Sequence, residues 1–122
     1  MPISAHALNH EIIDDLYAIL GDGYTEIVDE QVEQALKYLK ELGELLQADN
    51  AKMVTRTAHA LKSSAGQVGL EGIHALAKNL EIVSTADQEQ GVCSDEAKML
   101  HRTICTEFKA AVMALRDYVK NK

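Results

Sequence analysis

The stretch TAHALKSSAGQVGLEG, residues 57–72, places His59 three residues before Lys62 and follows them with serine, alanine and glycine. A neutral imidazole has a free nitrogen lone pair, and histidine's ordinary pKa of about 6.5 keeps much of it neutral near pH 7. Such a ring can attack an electrophilic phosphorus and hold the phosphoryl group. A lysine at i+3 brings an ammonium beside whatever the ring carries. The hydroxyls of Ser63 and Thr55 could donate hydrogen bonds to the same oxygens. The small residues need their own reason, because glycine inside a helix costs roughly 1 kcal/mol relative to alanine. Clear space around the ring, over which a partner's active site could close, supplies one.

That chemistry requires a helix that turns the ring outward. On a wheel of about 100° per residue with Val54 at the origin, Ala58, Leu61, Ala65 and Val68 fall within about 40° and define a core face. His59 lies about 140° round, and Thr55, Lys62, Ser63 and Gly66 fall between roughly 80° and 180°. The imidazole therefore points away from the core, with Ser63 and Gly66 one and two turns further on.

Five helical segments follow from apolar spacing and caps. The first, from about Asn9 to Leu20, carries Leu8, Ile12, Leu16 and Ile19 and is stopped by GDG at 21–23. A second begins near Tyr24 and sustains its pattern to Leu46, and QADNA then offers Asp49 as N-cap of the third. Gly69 and Gly72 end that helix. The fourth presents Ile73, Leu76, Ala77, Leu80 and Val83 before TADQEQGVCS, which reads as a polar connection. Ser94 caps the fifth, whose apolar positions from Ala97 to Tyr118 keep a seven-residue rhythm. The expected fold is all-α: an antiparallel four-helix bundle with an additional short N-terminal helix as a lid, in one domain over residues 1–122.

Composition narrows the functions. A formal charge of −7 disfavours nucleic acid and anionic membrane surfaces. No apolar run approaches the roughly 20 residues of a membrane span, and the N-terminus lacks the pattern of a secretory signal, so a cytoplasmic location is expected. Cys93 and Cys105 read as reduced packing residues of one helix, and without a CxxC pair a thiolate zinc site has no support. GDGYTE is not a phosphate-cradling glycine loop, because Glu26 stands where the last glycine would be.

The segment AHALKSSAGQVGL resembles the phosphorylation motif of histidine-containing phosphotransfer (HPt) domains, with His59, Lys62, Ser63, Gly66 and Gly69 at the matching positions. Ser63 stands where the family often has glycine. The resemblance implies a phosphorelay intermediate without its own ATP site. His59 would accept a phosphoryl group from a receiver-domain phosphoaspartate and pass it to another receiver, with Mg²⁺ on the receiver and no cofactor of its own. Implied partners are response regulator receiver domains and a hybrid sensor histidine kinase, and an exposed acceptor would work as a monomer. Glu81 falls where several members carry a group that hydrogen-bonds the histidine ring, and Gln67 is a second candidate. The residue after His59 is Ala60, not the acidic residue of the kinase motif.

Docking beside the ring calls for apolar groups. Ile12, Ile13 and Leu16 cannot all face the core, and Ile13 is the expected contact, with Thr55 of the third helix a second expected partner-binding residue. Two competing readings differ in class. A helical adaptor could bind a receiver without carrying phosphate, although the presence of both His59 and Lys62 argues against it. A carboxylate-and-histidine metal bundle would need paired Glu-x-x-His motifs facing inward, and Glu71 with His74 has no second pair. His6 and His10, four apart, lack an evident third ligand, so no metal site is expected.

Overall fold

The structure is a computed structural model and describes residues 3–122. It contains five helices: α1 (His10–Leu20), α2 (Gly23–Gln47), α3 (Ala51–Gln67), α4 (Glu71–Gln90) and α5 (Asp95–Lys120). Helices α2 to α5 form a closed ring in which each packs on its neighbours in sequence and α5 returns to α2. Neighbours run antiparallel. Tyr24 at the start of α2 donates its hydroxyl to the Val68 carbonyl beyond the end of α3, and Arg116 late in α5 pairs with Asp29 early in α2.

The three- and four-residue apolar spacing builds the core. Leu42, Leu61, Ile73, Leu80, Ile104 and Leu115 are completely buried, each contributing roughly 2 kcal/mol relative to an exposed position. Tyr24 is buried as well, and burial pushes its phenol up to about 12. Side-chain caps define the starts: Asn9 accepts from the Ile12 N–H, Asn50 from Met53 and Ser94 from Ala97.

Several boundaries correct the sequence reading. Asn50, not Asp49, caps α3; Asp49 takes a left-handed conformation (φ 55°) in the α2–α3 turn and accepts the Cys93 N–H. The polar stretch TADQEQ is not a connection, because α4 continues through it to Gln90 and ends on Gly91 in the left-handed region. Only one of its polar residues faces inward: Asp87 is buried and accepts both the backbone N–H and the hydroxyl of Ser94. Cys93 precedes α5 instead of lying in it, and both cysteines are free.

Helix α1 closes the end of the bundle that holds the α3–α4 turn. The Asn9 N–H donates to the Gly69 carbonyl, and the Gly72 N–H to that of Ala7. Asp14 pairs with Lys122 and accepts from the Tyr118 hydroxyl at 2.7 Å, contacts that hold its carboxyl below the ordinary 3.8. The expected role of Ile13 is overturned here. Its side chain is completely buried, seated in the space that the missing Cβ of Gly69 leaves, so it cannot touch a partner. Ile12 and Leu16 are half-buried, and Ile19 stands 78% exposed instead of in the core.

Candidate functional site

His59 sits midway along α3, where its neighbours on the inner face, Ala58 and Leu61, are fully buried and fix its outward direction. Facing it on α4 is Glu81. The His59 Nδ1 lies 2.7 Å from Glu81 Oε2, and Lys62 Nζ donates to Glu81 Oε1 at 2.7 Å. One carboxylate thus spans both residues. With Nδ1–H donating to the carboxylate, the lone pair is left on Nε2, on a side chain 60% exposed while those of Glu81 and Lys62 are 22% exposed. Burial alone would raise the Glu81 pKa, but the hydrogen bonds from Lys62 and His59 outweigh it and hold the carboxyl below the ordinary 4.5.

The face of α4 that meets α3 carries a polar residue every seventh position: His74, Glu81 and Gln88. Each grips α3 at a different level. His74 Nδ1–H donates to the Lys62 carbonyl at 2.9 Å, and Gln88 donates to the Thr55 hydroxyl at 2.9 Å. Sequence reasoning missed His74 and Gln88 as parts of this arrangement, although their heptad spacing with Glu81 was the available signal. Buried Ser84 joins them, 2.9 Å from Thr55 Oγ1.

These contacts revise two expectations. Gly66 does not clear ground for a partner: an added Cβ would lie 2.9 Å from His74 Nδ1, so the glycine makes room for the imidazole that locks α3 to α4. Thr55 is also committed, donating to the Ala51 carbonyl while Ser84 and Gln88 surround it, which removes it as a donor to a phosphoryl group. Ser63 remains exposed one turn beyond His59. With Gln67 it lines a shallow polar depression toward Gln31, Gln34 and Tyr38 of α2, and Gln67 is thereby placed on the side of α3 away from Glu81. Gly69 (φ +86°) shapes the turn and the seat of Ile13, about 15 Å along α3 from His59.

The other four histidines are engaged elsewhere. His6 Nε2 lies 2.6 Å from Glu107, His10 stacks on Tyr118, His74 holds the Lys62 carbonyl, and His101 donates to the Leu39 carbonyl. Among the described residues, no group of three or more His, Cys, Asp or Glu side chains is arranged to hold a metal ion, and no helix is long and apolar enough to cross a membrane.

Because the folded Glu81 pKa is lowered, its contribution to stability is complete above about pH 4.5 and disappears as pH falls through the folded value. Glu81→Ala is therefore expected to flatten the dependence of the urea midpoint on pH between about pH 5 and pH 3. Parallel urea titrations of the wild type and the variant across this range check the effect.

The bundle thus presents the His59 imidazole on the outer face of α3, backed by a carboxylate that a lysine shares. The family model of the Hpt domain matches residues 26–118, and the chain belongs to that family. It is also similar to the crystal structure of histidine-containing phosphotransfer protein B (HptB) from Pseudomonas aeruginosa PAO1. That match has a TM-score of 0.82 at 22% identity and covers 98% of this chain and 99% of the other. No match was found among curated protein sequences. Family membership assigns the chain a phosphotransfer role in phosphorelays, as a phosphocarrier and not a kinase, in the company of receiver domains and kinases.

Proposed function

We propose that this protein is a phosphorelay intermediate that takes a phosphoryl group onto His59 from a receiver-domain phosphoaspartate and delivers it to a second receiver. The observation that carries the reading is the single Glu81 carboxylate shared between His59 Nδ1 and Lys62 Nζ. It commits one ring nitrogen as a donor and leaves the other as a nucleophile on an exposed side chain.

In the first transfer, the His59 Nε2 lone pair attacks phosphorus and the bond from phosphorus to the partner's aspartate oxygen breaks. The electron pair leaves with the aspartate carboxylate. The phosphorylated ring keeps its Nδ1 proton and becomes cationic, and the Glu81 carboxylate at 2.7 Å offsets that charge. In the second transfer, a carboxylate oxygen of the next receiver attacks phosphorus, the N–P bond breaks and the lone pair returns to Nε2. Lys62 keeps an ammonium beside the ring throughout. Mg²⁺, expected on the receiver, would neutralise phosphoryl oxygens from the partner's side.

The test is a two-step relay. A receiver domain charged with labelled phosphate is mixed with the protein and Mg²⁺, the protein is re-isolated, and an uncharged second receiver is added. Acid-labile label on the protein, followed by acid-labile, base-labile label on the second receiver, is the expected result. A folded protein that binds receivers and takes up no label from any of a broad panel would instead establish a non-phosphorylated helical adaptor.

A further inference from the structure

We infer that the outward face of α3 is a cationic track, Lys52 and Arg56 leading to His59, that captures the acidic rim of the partner's phosphoaspartate site. The inference rests on the function proposed above. Its first support is the distribution of charge. The chain carries a net −7, yet α3 contains no aspartate or glutamate between Ala51 and Gln67 and does contain Lys52, Arg56 and Lys62. Antiparallel α2 carries exposed Glu26, Asp29, Glu30 and Glu33 in the half beside the C-terminal end of α3, and a mixture of Lys37, Lys40, Glu41 and Glu44 in the half nearer Lys52 and Arg56.

Register supplies the second support. Lys52, Arg56, His59 and Ser63 stand at i, i+4, i+7 and i+11, one stripe of a helix, and all four are exposed. Lys52 lies about 10 Å along the axis from His59 and Arg56 about 4.5 Å. The stripe therefore begins at the ring and extends two turns from it. On α4, exposed Lys78 precedes Glu81 by one turn and adds a further cation.

Third, these charges are uncommitted. Among the described residues, neither Lys52, Arg56 nor Lys78 has a carboxylate within ion-pair distance, whereas the Lys62 ammonium is held on Glu81. Glu89, on the outer side of α4 toward its C-terminal end, pairs with none of them.

The partner's chemistry fits such a track. A site that holds Mg²⁺ beside a phosphorylated aspartate must supply carboxylates for the metal, because Mg²⁺ takes oxygen ligands. A rim bearing those carboxylates is drawn to an uncommitted cationic stripe, and complementary fields of this kind raise encounter rates and fix orientation more than they deepen affinity. Lys52 and Arg56 are thus specificity and steering residues that never touch the reacting atoms.

The test compares Lys52→Glu/Arg56→Glu with Lys109→Glu/Lys120→Glu, which makes the same change in net charge on exposed positions of α5, across the ring from α3. Transfer is measured by rapid quench from a phosphorylated receiver domain that charges the wild type, over a range of ionic strengths. At low salt the α3 variant should lose about tenfold in the second-order rate constant, with the wild type's salt dependence abolished or reversed. Its rate at saturating receiver should stay within about twofold of wild type, and the α5 variant should match wild type within about twofold on both readouts. Equal losses in both variants, a loss confined to the saturating rate, or a wild-type rate insensitive to salt would each overturn the inference and leave the relay reading standing. Failure of every receiver to charge the wild type would overturn both.

Discussion

His59→Gln is expected to abolish acid-labile labelling from a phosphorylated receiver, a loss of about a thousandfold or more, while leaving the fold intact. The two halves of that result have separate causes. Glutamine has no nitrogen lone pair of imidazole character, so no nucleophile remains on the exposed face of α3. The ring is 60% exposed and its polar partner Glu81 keeps Lys62, so the stability change should stay within about 0.5 kcal/mol. The remaining histidines cannot take over. His6, His74 and His101 have a ring nitrogen committed to Glu107, the Lys62 carbonyl and the Leu39 carbonyl, His10 is stacked on Tyr118, and none of the four shares a carboxylate with a lysine as His59 does. Autoradiography of wild type and variant, with circular dichroism and urea unfolding of each, checks both halves.

Gly69→Ala should be strongly destabilising, costing about 3 kcal/mol. Two effects add at this position. The backbone sits at φ +86°, where a Cβ costs roughly 1–2 kcal/mol. The new carbon would also come within 2.5 Å of Ile13 Cγ1, and the nearby Asn9 carbonyl at 3.2 Å belongs to backbone that is itself bonded to Gly69. Overpacking of that kind adds roughly 1–3 kcal/mol. The cost falls on the seat of α1 and leaves the centre of α3 intact. Urea unfolding should show the lowered midpoint, and receiver transfer by the folded fraction should be close to wild type.

The same Ile13–Gly69 contact shows what one helix's pattern leaves undecided. Ile12 and Ile13 are adjacent, so periodicity allows either to face inward; the void at Gly69, two helices later in the chain, makes the choice. At α3 the wheel was sufficient, because Val54, Ala58, Leu61 and Ala65 form an unbroken buried stripe and leave His59 a single direction. The position of Glu81 opposite His59 was also legible, through family resemblance. The purpose of Gly66 was not, since its space is filled by an imidazole from another helix. Only the seven-residue recurrence of His74, Glu81 and Gln88 carried that information, and polar heptads are easily taken for solvated surface. The C-terminal half of α4 was hidden for a related reason: Ser84 and Asp87 occupy inward positions where an apolar residue would have announced a helix.

In the proposed relay, Glu81 holds Nδ1 of His59 and thereby leaves Nε2 to carry phosphorus. Long-range ¹H–¹⁵N spectra of ¹⁵N-labelled protein, recorded before and after charging by a receiver domain, test it directly. The expected result is a protonated Nδ1 in the free protein and, on charging, a phosphorus-coupled Nε2 in His59 alone. Phosphorus on Nδ1 of His59, or on any other histidine, would contradict it.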